Sequence, residues 1–169
     1  MNAYPVVTEP EAGPGWARAS TGVRVGVDLV VVAEVAEAVG RFGDRYLHRL
    51  FTPHELDCCR VDAVHGGYSM QSLAARFAAK EATVKVLRPV GARPEWRSIE
   101  VCRSGGGWCD LRLTGRAAAL AAEGGIEGWA VSLTHESMMA AAVVVGTLRG
   151  DGRTATSTES TVATESREV

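Results

Sequence analysis

Apolar and smaller or charged positions alternate where the central region begins: Val23, Val25, Val27 and Leu29 are separated by Arg24, Gly26 and Asp28. A period of two predicts a strand with one apolar face, and Asp28 falls on the other face. The pattern changes to helical spacing in VVVAEVAEAV up to Gly40 and again in FGDRYLHRL up to Leu50. In the FTPHEL that follows, Thr52 is placed to cap a helix, Pro53 to take its first turn and Glu55 to answer the cap three residues on. That is the signature of a capping box with proline at the first position. From Ser69 to Arg88 the chain is alanine-rich, holds no internal Gly or Pro and stops at Pro89, which predicts a helix of about five turns. Leu73, Phe77, Val84 and Leu87 form its apolar stripe. SIEVC and WCDLRL flank Gly105, Gly106 and Gly107, a hairpin signal. A phosphate-cradling glycine loop is the sharper alternative, but no helix starts there and no GKS or GKT follows. Thr114 is placed to cap a short helix, GRAAALAAE, closed by Gly124 and Gly125. WAVSLTH and AAAVVVG supply two last strands, joined by Glu136 to Met139.

Composition narrows the class. The 169 residues suit one domain, and residues 1–21 and 149–169 differ from the rest. The tail RGDGRTATSTESTVATESREV has almost no large apolar residue, so both ends read as disordered extensions of a domain at 22–148. A net charge of −2, from 18 basic and 20 acidic residues, argues against the basic stripe of a nucleic-acid binder. The longest apolar runs, such as Ala140 to Val145, are far short of the roughly 18 residues of a membrane span. No secretory signal is legible before Arg18, so a cytoplasmic location is expected. Cys58, Cys59, Cys102 and Cys109 lack the spacing of a zinc knuckle or a CxxC centre and read as reduced thiols.

Three ionisable positions stand out against apolar or small neighbours: Asp28 in the valine-rich strand, Glu81 in the alanine-rich helix and His135 at a strand end. Each has an ordinary explanation. Glu81 and Lys85 are spaced for a helical ion pair on a solvated face, Asp28 for a surface strand carboxylate, and His135 for a hydrogen-bonded histidine. The only two lysines, Lys80 and Lys85, nevertheless flank Glu81. Two carboxylates with cations beside them suit magnesium, which takes few protein oxygens and shares its other positions with phosphates. Lysine and arginine then neutralise the remaining phosphate oxygens.

The ordered motifs VGVDLV at 25–30, FTPHEL at 51–56, RFAAKEATVKVL at 76–87, IEV at 99–101, LTGRAAALA at 113–121 and VSLTHESMMAAAVVV at 131–145 resemble those of the holo-acyl-carrier-protein synthases. These are the short, trimeric class of 4′-phosphopantetheinyl transferases. The resemblance implies an α+β fold, a small antiparallel sheet wrapped by helices, in a homotrimer whose sites lie between subunits. It implies magnesium-dependent transfer of 4′-phosphopantetheine from coenzyme A to a serine of an apo acyl carrier protein, releasing adenosine 3′,5′-bisphosphate. Asp28 and Glu81 then stand where the family's magnesium ligands do. Arg76, Lys80 and Lys85 stand where its cations meet the diphosphate and 3′-phosphate of coenzyme A, with His135 near the same phosphates. The serine's base is a metal-bound water, Glu81 or His135. A non-catalytic coenzyme A or nucleotide-binding trimer of the same fold is the alternative. Family members usually carry a basic residue in the first helix, facing the acidic carrier, where this chain has Glu34 and Glu37. Arg41, Arg45 and Arg49, four apart, are expected to form a compensating cationic stripe.

Overall fold

Strand β1 (Val23–Val31) runs directly into helix α1 (Val32–Phe42), and Gly43, at φ 53° and ψ −137°, ends that helix before α2 (Asp44–Leu50) begins. The structure, a computed structural model, describes residues 22–61 and 67–150. The expected extensions at 1–21 and 149–169 lie outside these residues except for Arg149 and Gly150. Helices α3 (Pro53–Cys58) and α4 (Met70–Leu87) follow, then a short 3-10 turn at Trp96–Ser98 and a hairpin of β2 (Ile99–Arg103) and β3 (Cys109–Leu113). Helix α5 (Gly115–Glu123) and a second hairpin, β4 (Ile126–His135) and β5 (Met139–Leu148), complete the domain. The fold is α+β.

The main sheet is antiparallel in the order β1-β5-β4, with β2–β3 as a separate two-stranded ribbon. Helix α4 lies across the sheet and packs most heavily on β1 and β5. Twelve of its residues are buried, including Ala74, Ala75, Ala78, Ala79 and Ala82, so its alanine content reflects contact on almost every side. Gly26 explains how closely strand and helix approach: a Cβ there would sit 2.0 Å from the carbonyl oxygen of Ala82. Only hydrogen fits.

The capping box forms as expected. Thr52 N donates to Glu55 Oε2 at 2.8 Å, and Glu55 N donates to Thr52 Oγ1 at 3.2 Å. Ser69 caps α4 by accepting from Ser72 N. Thr114 stands at the N-cap position of α5 but its side chain makes no capping bond, a departure from expectation. The cationic stripe also departs: Gly43 separates Arg41 on α1 from Arg45 and Arg49 on α2, so the three do not share one helix face. All four cysteines are free.

The two faces of β1 are placed unlike those of an ordinary half-buried strand. The side carrying Arg24, Gly26, Asp28 and Val30 turns toward the domain, while Val23, Val25, Val27 and Leu29 remain 54–65% exposed. Met139 and Val143 of β5 extend the apolar surface.

Candidate functional site

Helix α4 divides the chemistry into two flanks. Arg76 and Glu81 are five residues apart, which turns them about 140° from each other around the axis. On the β1 flank, Lys85 Nζ lies 2.9 Å from Asp28 Oδ1 and donates to the Val27 carbonyl at 2.6 Å. The nearest cation to Glu81 among the described residues is Arg93, Nη1 to Oε2 at 3.9 Å. The helical Glu81–Lys85 pair suggested by spacing is therefore replaced by a strand-to-helix pair between Asp28 and Lys85. The Asp28 and Glu81 side chains are 18% and 25% exposed and Lys85 is 51% exposed, so all three are open to a ligand.

On the β4 flank is a cleft of about 400 Å³, lined among others by Ser72, Arg76, Arg103, Trp108, Leu133 and His135. Arg76 is 5% exposed and gives Nη1 to the Ser72 carbonyl at 3.3 Å, whereas its Nε is buried without a partner among the described residues. A buried guanidinium N–H left unpaired is costly unless a ligand completes it. His135 ends β4 on the same side of the sheet, opposite the buried Ala140. The cleft thus combines two arginines, an imidazole, an aromatic ring and hydroxyls, the groups that suit a phosphorylated nucleoside.

Lys80 joins neither flank. Its ammonium is fully buried, 2.9 Å from Glu55 Oε2, and donates to the carbonyls of Trp96 and Ile99. Glu55 is also fully buried and accepts from Val101 N at 3.0 Å. Burial holds the Lys80 pKa below the ordinary lysine value, with the Glu55 carboxylate opposing. The expected phosphate contact from Lys80 is thus corrected: its charge is spent tying α3, α4 and the start of β2 together. Sequence reasoning missed Arg103 and Trp108. The one signal was the glycine run before Trp108, since Gly107 takes φ 91° and the indole lies so close to Gly106 that a Cβ there would come within 2.1 Å of it.

A family model described as the 4′-phosphopantetheinyl transferase superfamily matches residues 24–134. The chain belongs to this superfamily. Among curated relatives, the holo-(acyl-carrier-protein) synthase of Desulforudis audaxviator is 45% identical over 121 residues, covering 72% of this chain and 89% of that protein. Among solved structures, the ACPS–CoA complex of Chronobacterium ammoniagenes superposes with a TM-score of 0.65 at 29% identity, covering 76% of this chain and 98% of that one. The acyl carrier protein synthase of Mycobacterium tuberculosis is 35% identical with a TM-score of 0.57, covering 74% of this chain and 97% of that one. For a transferase of this superfamily, the β1 flank fits a magnesium ion by donor chemistry. It offers only oxygen, from two part-exposed carboxylates on two elements, and no group of three or more metal-ligating side chains occurs among the described residues. A hard dication that keeps several waters and shares phosphate oxygens asks for no more.

Proposed function

We propose that the protein is a holo-acyl-carrier-protein synthase that transfers 4′-phosphopantetheine from coenzyme A to a serine of an apo acyl carrier protein. The observation carrying this reading is the division of labour on α4, with Lys85 bonded to Asp28 and Glu81 one turn away on one flank, and Arg76 lining a cleft with His135 on the other. Relatives named for the same activity, and a relative's complex with coenzyme A, support it. In this reading Arg76 and His135 hold the nucleotide's phosphates, and Arg76 Nε gains the acceptor it lacks. Trp108 covers the adenosine end. Asp28 and Glu81 hold magnesium, which supplies charge neutralisation at the diphosphate. Lys85 neutralises diphosphate oxygens from the same side.

The carrier's serine oxygen forms a bond to the phosphorus nearer the pantetheine, and the bond from that phosphorus to the bridging oxygen breaks. The bridging oxygen leaves with adenosine 3′,5′-bisphosphate, and the serine proton passes to a base, for which Glu81 and His135 are this chain's titratable groups. The cleft of about 400 Å³ holds one end of so large a substrate, and the carboxylate flank does not line it. In this reading one coenzyme A bridges neighbouring copies of a homotrimer that buries the apolar face of β1. Four free thiols suit the reducing cytoplasm, and no helix among the described residues is long and apolar enough to cross a membrane.

Purified apo carriers of the fatty-acid, polyketide and peptide classes, incubated with the protein, coenzyme A and magnesium, should gain the mass of one phosphopantetheine in at least one case. Asp28→Ala and Glu81→Ala should fold and lose nearly all of that transfer, and so should the chelator-treated protein. Coenzyme A binding by wild type without modification of any carrier would favour the non-catalytic binding trimer.

A further inference from the structure

Lys85 is held at the very carboxylate that the proposed function gives to the metal. Its Nζ has two acceptors on β1, the Asp28 carboxylate at 2.9 Å and the Val27 carbonyl at 2.6 Å. Among the described residues β1 pairs with β5 alone, and the ammonium meets the opposite edge of the strand. Glu81 lies one helical turn before Lys85 on α4, and residues so spaced are neighbours on the helix surface. In the protein by itself, the ammonium is therefore paired with Asp28, one helical turn from a Glu81 whose nearest cation is Arg93.

We infer that Lys85 is a placeholder cation that couples metal binding to coenzyme A binding. The inference rests on the reading of Asp28 and Glu81 as the metal site. A dication approaching Asp28 must displace the ammonium from Oδ1 or accept a positive charge a few ångströms away, and either lowers its affinity for the free protein. A diphosphate removes the conflict. Its oxygens give the ammonium new charge-assisted partners and give the metal new ligands, so Lys85 leaves Asp28 as coenzyme A arrives. Metal and coenzyme A then strengthen each other's binding, and linkage requires the factor to be the same in both directions. The free protein stays largely without bound metal, and the metal is gathered together with the substrate it serves. The device needs a flexible cation within reach of both positions, which Lys85 provides at 51% exposure.

The test uses Mn²⁺ as the probe, with free Mn²⁺ read by electron paramagnetic resonance, so that no turnover is required. Wild-type protein should bind Mn²⁺ at least about tenfold more tightly with saturating coenzyme A than without it, a typical size for coupling between two sites. Lys85→Met keeps most of the unbranched length and removes the charge. It should bind Mn²⁺ several-fold more tightly than wild type in the absence of coenzyme A, and the coupling factor should shrink toward one. Circular dichroism and the unfolding midpoint verify that the variant is folded. Equal Mn²⁺ affinity of wild type and Lys85→Met without coenzyme A, or an unchanged coupling factor, overturns the inference. Asp28→Asn separates the two readings. If it abolishes Mn²⁺ binding while Lys85→Met behaves as wild type, the metal site stands and the placeholder role falls. If Asp28→Asn binds Mn²⁺ normally, the metal site itself is misassigned and the inference falls with it.

Discussion

A lysine ammonium with no exposed surface is stable only when its charge is answered inside the protein, and Glu55 answers that of Lys80 with help from two carbonyls. Removing either partner strands a buried charge. Lys80→Ala or Glu55→Ala should cost about 3–5 kcal/mol in urea unfolding, whereas the double variant Glu55→Gln/Lys80→Met, which removes both charges and keeps an amide oxygen to accept from Thr52 N or Val101 N, should recover part of the loss. If Lys80→Met weakened coenzyme A binding with its unfolding midpoint intact, the lysine would belong to the phosphates after all. The sequence could not separate Arg76 from Lys80. They are one turn apart, about 40° around the axis, and only the placement of Glu55 and the Trp96–Ser98 turn decides which cation faces inward. The thiols obey the same logic of burial. Burial pushes Cys59 and Cys102 up to about 11, aided at Cys102 by its bond to Glu100. Alkylation of the native protein at pH 8 should spare both, and modification of Cys102, followed by mass spectrometry, should climb with pH until about 11 because only the thiolate reacts. The unfolded chain releases these protons first, so the fold should lose stability as pH rises from the ordinary thiol range to about 11.

At the scale of elements, α4 and the capping box were legible because their signals are local. The observed Met70–Leu87 helix and its Ser69 cap follow from side-chain bonds within a few residues. The cleft was not legible, because Trp108 meets Arg76 and His135 only when the β2–β3 hairpin is brought beside β4. The break between α1 and α2 was hidden behind regular arginine spacing, and it changes the docking argument. Glu34, Glu37 and Arg41 are exposed on α1, and the Arg41 guanidinium sits 5.0 Å from the ring of Phe42, which is itself 51% exposed. Arg45 and Arg49 point outward from a different helix. If α1 meets the carrier, Glu34 repels an acidic carrier surface and Arg41 alone on that helix opposes the repulsion. Glu34→Arg should then raise kcat/KM for a strongly acidic carrier. The gain should shrink as salt rises, since exposed charges are screened over about 8–10 Å at physiological ionic strength. A rate unchanged across carriers and salt concentrations would place the docking surface elsewhere.

At the scale of the whole molecule, alternation along β1 told that the strand has two faces and not which of them the subunit would bury. The answer leaves Val23, Val25, Val27 and Leu29 on an open sheet face, a patch that a soluble protein normally covers. The carboxylates lie by one edge strand, β1, and His135 on the other, β4, with helix α4 between them. In the proposed homotrimer, a head-to-tail contact that joins unlike surfaces and closes as a ring would cover the patch and bring the β1 flank of one copy to the β4 flank of the next. Val27→Asp should therefore yield a folded, inactive monomer by sedimentation, since Val27 is 54% exposed and contributes little to the core of one copy. A sharper outcome comes from mixing two inactive variants. Glu81→Ala keeps the Arg76 flank intact, and Arg76→Met keeps the Glu81 flank intact. When their subunits exchange freely at equal amounts, a site is whole only if an Arg76→Met copy supplies the carboxylates and a Glu81→Ala copy supplies the arginine. Random assembly makes that about one site in four, so the mixture should regain about a quarter of the wild-type rate. Sites contained within single subunits would regain none.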